Sequence, residues 1–342
     1  MKLISILTLT AVSFLANAQV KESSYKISRT FNLEGNGSWD LLTVDEVNER
    51  LFVSHNTMVQ VVDLKDGKQI GVIGETKGVH GIAFALDLNK GFTSNGKDSS
   101  VTVFDLKSFK TILKVKVTGA KPDAILYDKF SQKVFVFNGK SANATVIDAK
   151  TNKVVATIVL EGTPELSVSD EKGRVYVNIE TKNSIAVINA TTLKIEQMWR
   201  VNPGEEPTAI AINNKTNRLY SVCGNKLMVI IDTKNGKLIT TLPIGDHCDG
   251  VVFDPIKKRI FTSNGEGSIT VVQEENENSY KIIETIKTQK GAKTIAINTV
   301  TNRLFLPVGE FGDTPTPTKE EPKPKPAIKP NTFKVIEIES VK

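Results

Sequence analysis

Three histidines, two cysteines and a spaced set of carboxylates are the side chains of this 342-residue sequence best suited to chemistry. Asp40, His80, Asp123, Glu165 and Asp249 recur in one series, continued by Thr208 and Lys293, at a spacing of roughly 42 residues. If the fold brings that series together, its oxygens suit a hard ion such as Ca²⁺. His55 with His80, or the consecutive His247-Cys248-Asp249, suits a softer transition metal. None of these groups has a diagnostic ligand spacing, so no cofactor is expected and a divalent metal is kept open. Two simpler uses compete. The same residues serve to cap backbone N–H groups and meet water, or to line a polar pocket for a small ligand.

Catalytic motifs are missing. The sequence has no Gly-x-Ser-x-Gly elbow, no His-Glu-x-x-His and no phosphate-cradling Gly-rich loop. Ser94-Asn95-Gly96 and Ser263-Asn264-Gly265 read as hairpin corners, not nucleophiles. An enzymatic alternative therefore rests on His80, His247, Glu165 and Asp249 as acid/base or ligand groups of a metal-dependent lyase or hydrolase. For Cys223 and Cys248 two readings are open: a disulfide, if their Cα atoms approach within roughly 7 Å, or two separate buried thiols.

The elements that must position these residues form a repeat. The stretch from Asp249 to Gly265 reads as a short apolar strand, a polar turn closing on a basic residue, and a second β-branched and aromatic strand ending in Ser-Asn-Gly. The second-strand aromatic returns at Phe52, Phe92, Phe135, Tyr176, Tyr220, Phe261 and Phe305, and a Val-Ile-Asp-like third strand and a polar fourth strand follow in most repeats. That spacing fits four-stranded propeller blades. The expected fold is all-β, a seven-bladed β-propeller of four-stranded antiparallel blades. The last repeat has three strands of its own, so Tyr25 to Leu33 is expected to add its outer strand and close the ring.

The second-strand ending, as in Val175-Tyr-Val-Asn178, and first-strand starts such as Pro207-Thr-Ala-Ile-Ala211 resemble the YVTN-repeat seven-bladed β-propellers, a family of exported bacterial and archaeal proteins. The resemblance covers essentially the whole mature chain. It implies fold more than function, since such propellers include surface-layer proteins and proposed DNA-binding periplasmic proteins. The consensus Asn is lost at Ile179, Cys223 and Val308.

Propeller geometry sorts the residues onto two faces. The first-strand series and the second-strand ends (His55, Asn95, Asn138, Ile179, Cys223, Asn264 and Val308) are assigned to a channel mouth, with Asp40, His55, His80, Asp123, Glu165, His247 and Asp249 as candidate ligand-binding residues. The first turns end in Arg50, Lys90, Lys133, Arg174, Arg218, Arg259 and Arg303, and the turns before the fourth strands add Lys68, Lys110, Lys153, Lys194, Lys237 and Lys281. A basic underside of this kind would attract an anionic polymer or single-stranded nucleic acid. Pairing across each hairpin with Asp45, Asp87, Asp128, Asp170 or Asp254 would instead neutralise it. Base-stacking aromatics in these turns are limited to Phe109, Phe130 and Tyr280, so nucleic acid is not the expected partner.

Residues 1–18, with a charged start, an apolar run and Ala16-Asn17-Ala18, read as a signal peptide cleaved before Gln19. No lipoprotein Cys follows, and no later run is long enough to span a bilayer. The mature chain, 19–342, is expected to be a single periplasmic or secreted propeller, a monomer carrying a Pro- and Lys-rich flexible loop at 313–331 in its last blade. Its formal net charge of +6 comes partly from that loop and says little about partners. The expected function is a binding or interaction module of the cell envelope, its partner an unidentified envelope protein or small ligand.

Overall fold

The computed structural model describes residues 23–318, 322, 324 and 326–341. The signal peptide expected at 1–18 lies outside the described residues, as do parts of the loop expected at 313–331. Seven four-stranded antiparallel sheets make up the fold, six of them built from four consecutive strands. The seventh has the order Ala296–Asn298, Arg303–Val308, Lys334–Ser340 and Tyr25–Asn32 with each strand beside the next, running outward. The first strand of the described chain is thus the outer strand of the last blade, and the ring closes as expected.

Second strands begin at the basic residue and end where the repeat predicts: Arg50–His55, Lys90–Asn95, Lys133–Asn138, Arg174–Ile179, Arg218–Cys223, Arg259–Asn264 and Arg303–Val308. They are buried on both faces, whereas outer strands such as Lys153–Val159 are largely exposed. The repeating aromatics explain why. Phe52 packs against Ile82 and Phe104 of the next blade, and Phe135 against Val175 and Val177 of the one after its own. Phe305 completes the circuit by packing on Leu42, Leu51 and Val53 of the first blade. The protein has no single core; its apolar interior is a ring of wedges, each made by two adjacent blades. Leaving any blade unpartnered would expose one wall of two wedges, which is why closure is energetically required.

Closure uses side chains from both ends of the chain. Phe31 and Leu33 join the wedge between the last and first blades, and Tyr25 lies edge-on to Phe261 with ring centroids 5.6 Å apart. Among the described residues no helix is long and apolar enough to cross a membrane.

Candidate functional site

The innermost strands of the first six blades are Trp39–Asp45, Val79–Ala85, Pro122–Asp128, Pro164–Ser169, Pro207–Asn213 and Cys248–Asp254. Each has a register irregularity at its start, for example between Trp39 and Leu42, Pro122 and Ile125, or Cys248 and Gly250. Asp40, His80, Asp123, Glu165, Thr208 and Asp249 fall in these bulges. A bulge leaves a residue outside the ladder and re-aims its side chain. The sequence series therefore becomes a ring of side chains around the channel entrance.

Several backbone groups at the bulges are satisfied by hydroxyls, three of them from the serines that precede second-strand ends (Ser54, Ser94 and Ser263) and two from Thr208 and Thr294 at the inner strands. Ser54 Oγ accepts from Asp40 N at 3.1 Å, and Ser94 Oγ accepts from Gly81 N at 2.8 Å. The Ser94 hydroxyl also donates to the Asp123 carbonyl of the following blade. Ser263 Oγ donates to Lys293 O at 2.7 Å, Thr208 Oγ1 to Cys248 O at 3.0 Å, and Thr294 Oγ1 to Asp40 O at 2.8 Å. Ser94 and Ser263, both fully buried, thus tie one blade's inner strand to the next. The Ser before Asn at Ser94-Asn95 and Ser263-Asn264, expected as a hairpin corner, carries this inter-blade role as well.

Within the ring, the charged groups meet across blades. His80 Nδ1 lies 2.6 Å from Asp40 Oδ2 and 3.5 Å from Asp123 Oδ1. Lys293 pairs with Asp249, and Lys121 stands 3.9 Å from Asp123. Burial disfavours a charged imidazole at His80, but the Asp40 hydrogen bond and the charges of Asp123 and Asp40 outweigh it and raise the pKa. Burial pushes Asp123 up, helped by the charges of Asp40 and Asp249 against the lowering effect of His80. Glu165 rises to about 8 because it is buried and faces the charges of Asp123, Asp249 and Glu180. Lys293 is raised too: burial opposes its charge, but Asp249 and Asp40 prevail. Burial and mutual charge thus hold the Asp123 and Glu165 carboxyls above the ordinary carboxylate range, beside the cations of His80, Lys121 and Lys293.

Two histidines assigned to the mouth stand apart from this cluster. His55 is fully buried, its Nδ1 2.9 Å from Gln60 Oε1 and its ring 4.3 Å from that of Phe333. It occupies the place of the consensus Asn, whose Nδ2 ties the second strand to the third: Asn95 to Thr102 Oγ1 at 2.9 Å, Asn138 to Thr145 Oγ1 at 3.0 Å and Asn264 to Thr270 Oγ1 at 3.1 Å. The proposed pairing of His55 with His80 does not form, because the last residue of a second strand turns into the blade and not toward the channel. His247 is at the surface with its side chain 80 % exposed, 3.8 Å from Asp246. Its neighbour Cys248 points inward and donates to Gly250 O, so the triplet does not converge on one point. Cys223 and Cys248 are free and buried, and burial raises both thiols, Cys223 to about 12.

On the opposite face, the expected hairpin pairing holds at Arg50, 2.5 Å from Asp45 Oδ2. Elsewhere the partners differ. Lys90 Nζ donates to Ala149 O and Lys150 O of the next blade at 2.9 Å, and Arg174 pairs with Glu196 on the outer strand at 3.0 Å. Arg218 pairs with Asp232 at 3.0 Å, and Arg259 donates to Tyr25 Oη at 2.6 Å. The first-turn acids hold their own turns instead: Asp254 Oδ1 accepts from Ile256 N and Asp170 Oδ1 from Lys172 N, each at 2.8 Å. Two of the three aromatics counted there are also engaged, Phe109 beneath Arg50 and Tyr280 against Tyr220, while Phe130 is exposed. The first-turn cations are thus engaged, whereas Lys110, Lys153, Lys194, Lys237 and Lys281 of the turns before the fourth strands are exposed, alongside exposed Val47, Phe130, Ile256 and Val300 at the first-turn tips.

No family model and no curated protein matches this sequence, so the YVTN-repeat resemblance rests on the motifs alone. Solved structures do match in fold, and they make this chain a seven-bladed β-propeller with WD40-like structural neighbours. It is similar to hydrazine synthase of Kuenenia stuttgartiensis, with 17% identity and a TM-score of 0.68 over 80% of this chain and 94% of that one. The WD40 repeats of RRP9 match at 10% identity and a TM-score of 0.74, over 91% and 97%. A chain of a Mitotic Checkpoint Complex matches at 12% identity and a TM-score of 0.76, over 100% and 99%. At these identities the likeness is one of fold.

Proposed function

We propose that this protein is an exported interaction module of the cell envelope that receives an envelope protein or small ligand at the acidic mouth of its channel. The supporting observation is the ring of bulge-borne polar side chains, each delivered by a different blade and fixed by inter-blade hydrogen bonds. A closed propeller is rigid, and rigid presentation of convergent polar groups lowers the ordering cost of binding. Propeller folds commonly serve as interaction scaffolds, and the neighbours found by fold include such assemblies by their names. Export is drawn from the first eighteen residues alone. Cell fractionation with N-terminal sequencing tests it, a mature chain starting at Gln19 being the expected result.

Affinity capture from envelope extracts tests the binding role. A component retained by the wild type and by a Val47→Ser variant, but lost with Asp249→Lys, supports the mouth. Loss in the Val47→Ser variant alone moves the interface to the other face. A metal-dependent lyase or hydrolase is the second reading, and the observation that favours it is the contact of His80 with two carboxylates. Of the other groups assigned to it, His247 stands outside that contact.

A further inference from the structure

The geometry points to a divalent transition-metal site at the channel mouth, built from His80 Nδ1, one carboxylate oxygen of Asp40 and one of Asp123. Among the described residues these are the three metal-ligating side chains whose donor atoms all lie within 4.8 Å of one another. They come from three consecutive blades, so the site exists only in the folded ring. It does not depend on which partner the propeller takes.

The donors are close to a coordination sphere. An ion with metal–ligand bonds of about 2.0–2.1 Å in a tetrahedral arrangement holds its ligands roughly 3.4 Å apart. His80 Nδ1 and Asp123 Oδ1 are already 3.5 Å apart. His80 Nδ1 and Asp40 Oδ2 are at 2.6 Å, so the Asp40 carboxylate must retreat by less than 1 Å, and its side chain is 22% exposed. The backbone that carries it is fixed on both sides, by Ser54 Oγ at its N–H and by Thr294 Oγ1 at its carbonyl. Asp123 is fixed by the Ser94 hydroxyl. On binding, the ion takes the place of the Nδ1 proton, which leaves to solvent, and channel water completes the coordination.

The donor set selects the ion. One imidazole and two carboxylates suit a borderline first-row cation such as Zn²⁺. Ca²⁺ takes six to eight oxygens, and Mg²⁺ avoids imidazole in favour of oxygen and water. His80 is also held from behind. A Cβ on Gly96 would lie 2.8 Å from His80 Nε2, so glycine leaves the space in which the ring edge rests while Nδ1 faces the carboxylates.

Isothermal titration of the full mature chain, untagged and stripped with chelator, tests the site with ZnCl₂, with CaCl₂ as comparator. One saturable Zn²⁺ per chain is expected, with binding weakened about 100-fold or more by His80→Ala and by Asp123→Asn, since each removes a direct ligand. His247→Ala should leave it unchanged. Circular dichroism and thermal melts check each variant for folding, and Asp40→Asn supplies an independent ligand deletion if His80→Ala is unstable. Absence of saturable Zn²⁺ binding, tighter binding of Ca²⁺ than of Zn²⁺, or Zn²⁺ binding that survives the ligand deletions and disappears with His247→Ala would overturn the assignment.

Discussion

His55 Nδ1 stands 2.9 Å from Gln60 Oε1, on the same pair of strand positions where Asn95 meets Thr102 one blade later. A histidine that looks like a site residue in the sequence is a strand tie in the structure. Removing it should therefore cost stability and spare the mouth. His55→Ala is expected to lower unfolding free energy by about 2–3 kcal/mol, from the cavity and the buried Gln60 Oε1 left without its partner. His55→Asn should recover most of that loss, as measured by chemical denaturation. Burial holds the His55 pKa below its ordinary value, with the Gln60 bond only partly offsetting it. Its contribution is thus present above about pH 6.5 and lost as pH falls from there, so His55→Asn should also flatten the acid side of the stability profile.

Glu165 gives the opposite slope. Its folded pKa of about 8 lies above the unfolded value near 4.3, so the folded state holds the proton more tightly. Stability from this group is complete below the unfolded value and declines as pH rises toward 8. In chelator, Glu165→Gln should equal the wild type near pH 4 and exceed it at pH 9, by about 1 kcal/mol once channel water is allowed for. Thermal melts across that range check it, and parallel profiles for the two proteins would count against the crowding of charge at the mouth.

Gly96→Ala is expected to disturb His80 specifically. The added Cβ meets the ring at 2.8 Å, whereas the corresponding Gly139 would place one no closer than 3.8 Å to its neighbours. The His80 imidazole resonances, followed by NMR with pH, should shift in Gly96→Ala with its pKa falling toward the ordinary value. Gly139→Ala should leave them unmoved.

Much of this was legible in advance, for a physical reason. Blades repeat because each wedge needs the same two walls, so the aromatics at Phe52 through Phe305 reported blade number, strand order and closure together. The face assignment followed from the same register, and six of its seven first-strand positions coincide with the bulges. What could not be read was the direction of a side chain at a strand end. His55 and His80 are both assigned to the mouth by position, yet a bulge turns one outward and a regular ladder turns the other inward. Likewise, the basic residues opening the second strands announce a charged face, while their partners, such as Tyr25 for Arg259, come from distant parts of the chain.

Closure should be separable from the rest of the chain. A protein beginning at Glu34 loses Tyr25, Phe31 and Leu33, each 4% exposed, and leaves Lys334–Ser340 as an unpaired edge. Burial of three such side chains contributes on the order of 5 kcal/mol, comparable to the whole stability of many domains. This truncated protein is expected to aggregate or to unfold without cooperativity, and a peptide spanning residues 23–33 should restore a cooperative melt. An unchanged midpoint without the peptide would refute the closing role.

The location of the binding surface is tested most directly by site-specific photo-crosslinking in intact cells. Probes replace exposed Lys121 and His247 at the mouth, and exposed Val47 and Phe130 on the opposite face. The expected result is a discrete adduct with one envelope component from the two mouth positions and none from the other two. Adducts from Val47 or Phe130, with the mouth positions silent, would contradict the account.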